Sequence, residues 1–208
     1  MNAREHFQTL FEGETKMKPL GRSLTIAALM SLSTLTFAQS DPHKTTDAPK
    51  PPTEAQKSFD SLKTLAGVWQ GPVKVEPPVP DMDNKPLRVS MRVTSRGNAL
   101  VHEMNEDKPQ ADPTSYDHPV TMFYLDNDRL LLTHYCDAGN RPRMAARVSP
   151  DGKTVEFDFI DVAGSTQFGH MNHAVFTIID ANHHTEDWTY LMPGDKPMHA
   201  HFDLQRAK

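Results

Sequence analysis

After Gly67 the chain breaks into short runs of alternating apolar and polar residues, each closed by a turn signal, and this punctuation restricts the fold more than any other feature. Strand-like runs fall at Val68–Glu76, Leu87–Arg96, Ala99–Asn105, Val120–Leu125, Arg129–Cys136, Arg141–Ser149, Thr154–Val162, His173–Ile179, Thr185–Met192 and Met198–Arg206. Between them stand Arg96-Gly97-Asn98, Asp126-Asn127-Asp128, Ala138-Gly139-Asn140, Pro150-Asp151-Gly152 and Pro193-Gly194-Asp195, which are turn chemistries. Side chains leave a strand on opposite faces in turn, so Met198, Ala200, Phe202 and Leu204 share one face while His199, His201, Asp203 and Gln205 share the other. Ahead of the strands, Thr53–Gly67 reads as a helix: Thr53 can cap it, Phe59, Leu62 and Leu65 follow helical spacing, and Gly67 stops it. One short N-terminal helix followed by about ten strands in hairpin order predicts an all-β fold, an antiparallel meander β-barrel or a sandwich.

The segment before the helix is of a different kind. Met17–Ala38 carries Lys18 and Arg22, then an apolar stretch from Leu24 to Leu35 diluted by Ser and Thr, then "TFA" before Gln39. That is a secretory signal peptide, cleaved after Ala38. The apolar stretch is too short and too interrupted for a membrane span, which needs roughly 20 mostly apolar residues. Met1–Lys16 places acidic residues ahead of the positive region, which suits a mis-assigned start with Met17 as the true one. Residues 39–52 read as a Pro-rich linker and 53–208 as the folded domain. The expected location is periplasmic or secreted. A single cysteine excludes an internal disulfide, so packing must supply the stability. The formal charge of −5 and the lack of a basic stripe argue against nucleic acid as a partner.

The stretch "LAGVWQG", Leu65–Gly71, resembles the opening of lipocalin-like, or calycin, barrels. Those barrels carry a Gly-x-Trp on the first strand, here Gly67 and Trp69. The resemblance implies that the Trp closes one end of the barrel and that an arginine of the last strand, here Arg206, packs over it. "LTHYCDAGNRPRM" (Leu132–Met144) and "FGHM" (Phe168–Met171) resemble recurring motifs of uncharacterised exported bacterial barrels. A more distant resemblance runs to the haem-binding nitrobindin-like barrels, which need a late histidine; His199 and His201 are the residues that could occupy that place.

Several side chains invite a chemical reading. On a strand, His134 and Cys136 share a face, and Arg141 or Arg143 could lie beside Cys136 across a hairpin, where a cation would lower the thiol pKa. The competing reading is a small buried thiol of no reactivity. Arg141 and Arg143 share a face and could hold a carboxylate or phosphate, or could simply pair with Asp158 or Glu156. The histidines form no H-E-x-x-H motif, and His183-His184 sits beside a turn, where imidazoles are usually wet. No metal site is therefore expected from sequence, and no resident cofactor, with haem kept as a minority alternative.

These readings converge on a barrel that binds a small apolar or amphipathic, possibly lipid-like, ligand for carriage or sequestration. The expected ligand-binding residues are His134, Cys136, Arg141, Arg143, His170, Met171 and Trp188. The alternatives are an enzyme using His134, Cys136 and an arginine, a haem or metal protein, and a structural envelope protein with a filled core.

Overall fold

A computed structural model of the chain describes residues 51–79, 82, 85–106, 114, 117–149 and 152–208. The expected leader, the cleavage expected after Ala38 and most of the expected linker fall outside the described residues. The order is one helix, α1 (Glu54–Lys63), and ten strands: β1 (Gly67–Glu76), β2 (Pro86–Thr94), β3 (Ala99–Glu106), β4 (Val120–Asp126), β5 (Arg129–Tyr135), β6 (Arg141–Val148), β7 (Thr154–Ala163), β8 (His170–Asp180), β9 (His183–Met192) and β10 (Lys196–Arg206). Every strand pairs antiparallel with its sequence neighbour, and β1 pairs with β10, so the sheet closes into a barrel without edges.

Helix α1 begins where Thr53 accepts a hydrogen bond from the Gln56 amide at 3.2 Å. It ends at Lys63, earlier than Gly67. The last turn is tightened by i→i−3 bonds from Thr64, Leu65 and Ala66, which satisfy carbonyls that a longer α-helix would have used. Its apolar stripe, Phe59 and Leu62, is buried together with Leu65 against the barrel. Trp69 lies in the same layer and donates through Nε1 to the Leu65 carbonyl at 2.7 Å. The Arg206 guanidinium sits 4.1 Å above the Trp69 ring and donates to the carbonyls of Ala66, Ala181 and Thr64. One end of the barrel is thereby shut, in the manner the Gly-x-Trp stretch implies.

Strand alternation predicts most inward residues, with three departures. Strand β8 begins at His170 rather than His173, because bulges at Met171/His173 and Ile178/Asp180 break the two-residue period. Strand β9 begins at His183, so the His183-His184 pair belongs to the ladder with β10 and not to a turn. Strand β7 shifts register opposite Arg143 and Met144, which leaves Phe159 facing Met144 at the open end, 36% exposed. The core is a continuous aromatic and aliphatic cluster. Phe123, Phe157 and Phe176 pack with ring centroids 5.3–6.0 Å apart, and Phe176 meets Trp188 at 5.5 Å.

Candidate functional site: a histidine floor inside the barrel

Cross-strand register places His102, Thr121 and His134 side by side on β3, β4 and β5, all facing inward. Facing them, β8, β9 and β10 present Ala174, Trp188 and Ala200 in one row. The Trp188 ring centroid is 5.6 Å from His134 and 5.8 Å from His102, so the two rows meet across the lumen. The next row toward the helix is larger: Phe176 and Phe202 flank Glu186. Toward the other end, Met171 and Met198 flank Tyr190.

Glu186 is fully buried, as are His102 and His184. Its carboxylate accepts from His102 Nε2 at 3.0 Å, from His184 Nε2 at 3.0 Å and from Trp188 Nε1 at 2.9 Å. A carboxylate offers only acceptors, so both imidazoles carry their proton on Nε2. Burial opposes ionisation of Glu186, but the facing His102 and His184 outweigh it and lower its pKa to about 2. His134 is different. Its Nδ1 meets Thr121 Oγ1 at 2.8 Å, and burial, helped by nearby His102, pulls its pKa down to about 3. At neutral pH it is an uncharged ring. Three buried nitrogens in this group have no hydrogen-bond partner: His102 Nδ1, His184 Nδ1 and His134 Nε2. Each such atom costs roughly 1–3 kcal/mol relative to a satisfied one.

Sequence reasoning placed His134 and Trp188 in a pocket wall, and both face the interior, 1% and 2% exposed. Met171 packs half-buried against the core at the end opposite α1. His170 stacks on Phe159 at 4.7 Å beside it. Cys136 is half-buried just past β5. Burial is the main cause of its raised pKa, and Asp117 and Asp137 add to it. The arginines do not join this group. Arg143 pairs with Thr133, on the opposite face of β5 from His134, and its guanidinium grips Asp161 on the outer surface. Arg141 is likewise exposed. An Arg–Cys neighbourhood therefore does not form, and nothing described beside the thiol activates it as a nucleophile.

The histidine pattern departs furthest from expectation. His184, expected to be solvent-facing, is buried in the Glu186 network, and Trp69 meets its ring at 4.3 Å. The network's signal was in the sequence: counting back in twos from Trp188 gives Glu186 and His184. Conversely, His199 and His201 leave the outer face, bonded to Thr189 and Asp187. Strand β10 offers no inward imidazole to a haem. Among the described residues, one group has metal-ligand proximity, Glu156, Asp158 and His173 on the outer face. Arg147 already holds both of its carboxylates.

The barrel end opposite α1 carries five connections, of which those between β5 and β6, β7 and β8, and β9 and β10 are described throughout. Asn140 ties two of them together, donating to the carbonyls of Ser165 and Gly169 at 2.9 and 2.7 Å. Phe168 is 63% exposed there, and its carbonyl accepts from the Tyr190 hydroxyl at 2.7 Å. Outside the barrel, an open groove of about 520 Å³ lies between α1 and the β4–β5 and β6–β7 turns. A second, of about 320 Å³, adjoins Arg206. Neither contains any of the residues expected to bind a ligand.

No family model matches the chain, and no curated protein matches it. Among solved structures it is similar to the crystal structure of a protein of unknown function from the DUF3598 family of Nostoc punctiforme, with 7% identity over 72% of this chain and 99% of that one, at a TM-score of 0.23. At that score the barrel rests on its own strand pairings.

Proposed function

We propose that the barrel binds a small, mainly apolar molecule at its open end, above the floor made by His102, His134 and Trp188. One observation carries this reading: His134 Nε2 is a buried polar atom without a partner, in a layer that holds two alanines beside Trp188. Ala174 and Ala200 flank Trp188, whereas Phe176 and Phe202 flank the position below. In a barrel of fixed strand number, smaller inward side chains leave more room. The rim above is apolar and reached by solvent, with Phe159, Phe168, Met171, Tyr190 and Met198 exposed or half-buried. An apolar enclosure with one converging polar group is the usual character of a small-molecule site. The function that follows is carriage or sequestration, and the leader sequence supports an exported setting for it. Finding Gln39 as the N-terminus of the protein recovered from the cell envelope would test the export reading.

Titration of the domain with the neutral fluorophore N-phenyl-1-naphthylamine tests the site. Saturable binding is expected, with roughly tenfold or greater weakening in Ala200→Phe, which fills the alanine layer from a half-buried position. Absence of saturable binding, or equal binding by Ala200→Phe, would overturn the reading.

A further inference from the structure

The chemistry of the floor goes further than the existence of a site. We infer that the barrel takes molecules whose buried polar group is uncharged, such as an alcohol, ketone or amide, and rejects carboxylates of the same apolar body. This rests on the proposed binding reading and deepens it.

The charge inventory of the interior carries the inference. Among the described residues, Arg206 is the one cation on an inward position, and it lies over Trp69 at the shut end, bonded to the carbonyls of Ala66, Ala181 and Thr64; the inward positions from the His102–Thr121–His134 layer to the Met171–Tyr190–Met198 layer include no lysine or arginine. The other cationic side chains of the described strands point elsewhere: Lys74, Arg92, Arg129, Arg141, Arg143 and Arg147 are exposed, Arg88 lies between the inward Leu87 and Val89 and so leaves the outer face, and Lys196 stands at the tip of the β9–β10 hairpin beside Asp195. Among the described residues, the one ionised carboxylate inside, Glu186, lies directly behind the floor, bonded to the Trp188 indole and to His102. His134 is the group a ligand would meet with a nitrogen to spare. Its Nδ1 is engaged by Thr121, leaving Nε2 for the ligand. A neutral imidazole can donate to a carbonyl or accept from a hydroxyl according to tautomer. It cannot neutralise a carboxylate, and burying an unpaired charge costs far more than burying a satisfied hydroxyl.

The rim reinforces the floor. Asp137 and Asp117 meet at the mouth, where the Asp137 amide donates to Asp117 Oδ1 at 3.0 Å. Tyr190 of the rim has its hydroxyl pKa raised by burial first, and then by Cys136, Asp137 and Asp117. Among the described residues, an entering anion meets Asp117 and Asp137 at the mouth and Glu186 beneath the floor.

Displacement of bound N-phenyl-1-naphthylamine by 1-decanol and by decanoate at pH 7.5, each below its aggregation concentration, tests the inference. Decanol is expected to displace the fluorophore at a concentration roughly tenfold or more below that of decanoate. His134→Leu is expected to weaken decanol by roughly tenfold, the loss of one buried hydrogen bond, and so to narrow the decanol-to-decanoate ratio by about the same factor. A cooperative thermal melt of that variant by circular dichroism shows that it folds. Decanoate competing as well as decanol would overturn the inference and leave the binding reading intact. Failure of the fluorophore to bind at all would overturn both. Unchanged decanol affinity in His134→Leu would remove His134 from the selection.

Discussion

His134 and Glu186 are two buried titratable groups with opposite chemistry and the same acid sensitivity. His134 is held neutral, with its pKa lowered from 6.5 to about 3. The unfolded chain therefore takes up a proton at that ring below about pH 6.5, and the native state does not. The contribution is present above pH 6.5 and is lost progressively as pH falls toward 3. Glu186 is held ionised, its pKa lowered from 4.5 to about 2, so its contribution is lost between pH 4.5 and 2. The window from 6.5 to 4.5 isolates His134 from Glu186. In urea titrations across that window, wild-type stability should fall by up to about 1.4 kcal/mol per pH unit from this ring. His134→Leu should show a visibly shallower slope. Equal slopes in the two proteins would mean that the ring is protonated, or reached by water, in the native state.

At the level of the strands, the tightest constraint is the seam between β1 and β10. A Cβ on Gly71 would lie 1.8 Å from the Asp203 carbonyl oxygen, and that oxygen belongs to backbone that cannot step aside without opening the ladder. Gly97, in the turn between β2 and β3, has φ +92° but open space around it. Gly71→Ala should lose about 3 kcal/mol or more, or fail to accumulate as folded protein, and Gly97→Ala should lose about 1 kcal/mol. Thermal melts of the pair separate the two costs; comparable Tm values would show that the seam is not closed at that point. The elements themselves were legible in the sequence. Ten alternating runs became ten strands, because alternation reports a face directly. What alternation could not report was which polar residues lie on the inner face. Trp188, Glu186 and His184 share a face by simple counting, yet an acidic residue and an imidazole beside a turn read as wet when their partner, His102, lies 84 residues away. The placement of the β6 arginines was out of reach for a related reason. Cross-strand register sets Arg143 against Thr133 and Met144 against Leu132, and only the paired strands fix that offset.

Over the whole molecule, nine of the ten strand pairings join sequence neighbours, and the tenth, β1 with β10, makes the barrel. That last pairing spans the domain, so no local pattern encodes it; the Gly-x-Trp stretch and Arg206 hinted at it only through resemblance to other barrels. Closure also determines how the molecule should come apart. The two tryptophans sit in different layers, Trp69 under Arg206 at the shut end and Trp188 on the floor. They are joined through one connected set: the Trp69 ring meets His184, His184 bonds to Glu186, and Glu186 bonds to Trp188. A closed sheet with a continuous core has no strand that can leave without exposing two edges and the Glu186 carboxylate. The barrel should therefore unfold as one cooperative unit. In urea, a Trp69→Phe protein reporting through Trp188 and a Trp188→Phe protein reporting through Trp69 should each show a fluorescence midpoint within about 0.2 M of its own far-ultraviolet circular-dichroism midpoint. An earlier fluorescence transition in the protein that retains Trp188 would mean that the floor loosens while the shut end holds, dividing the barrel into a stable base and a separately opening mouth.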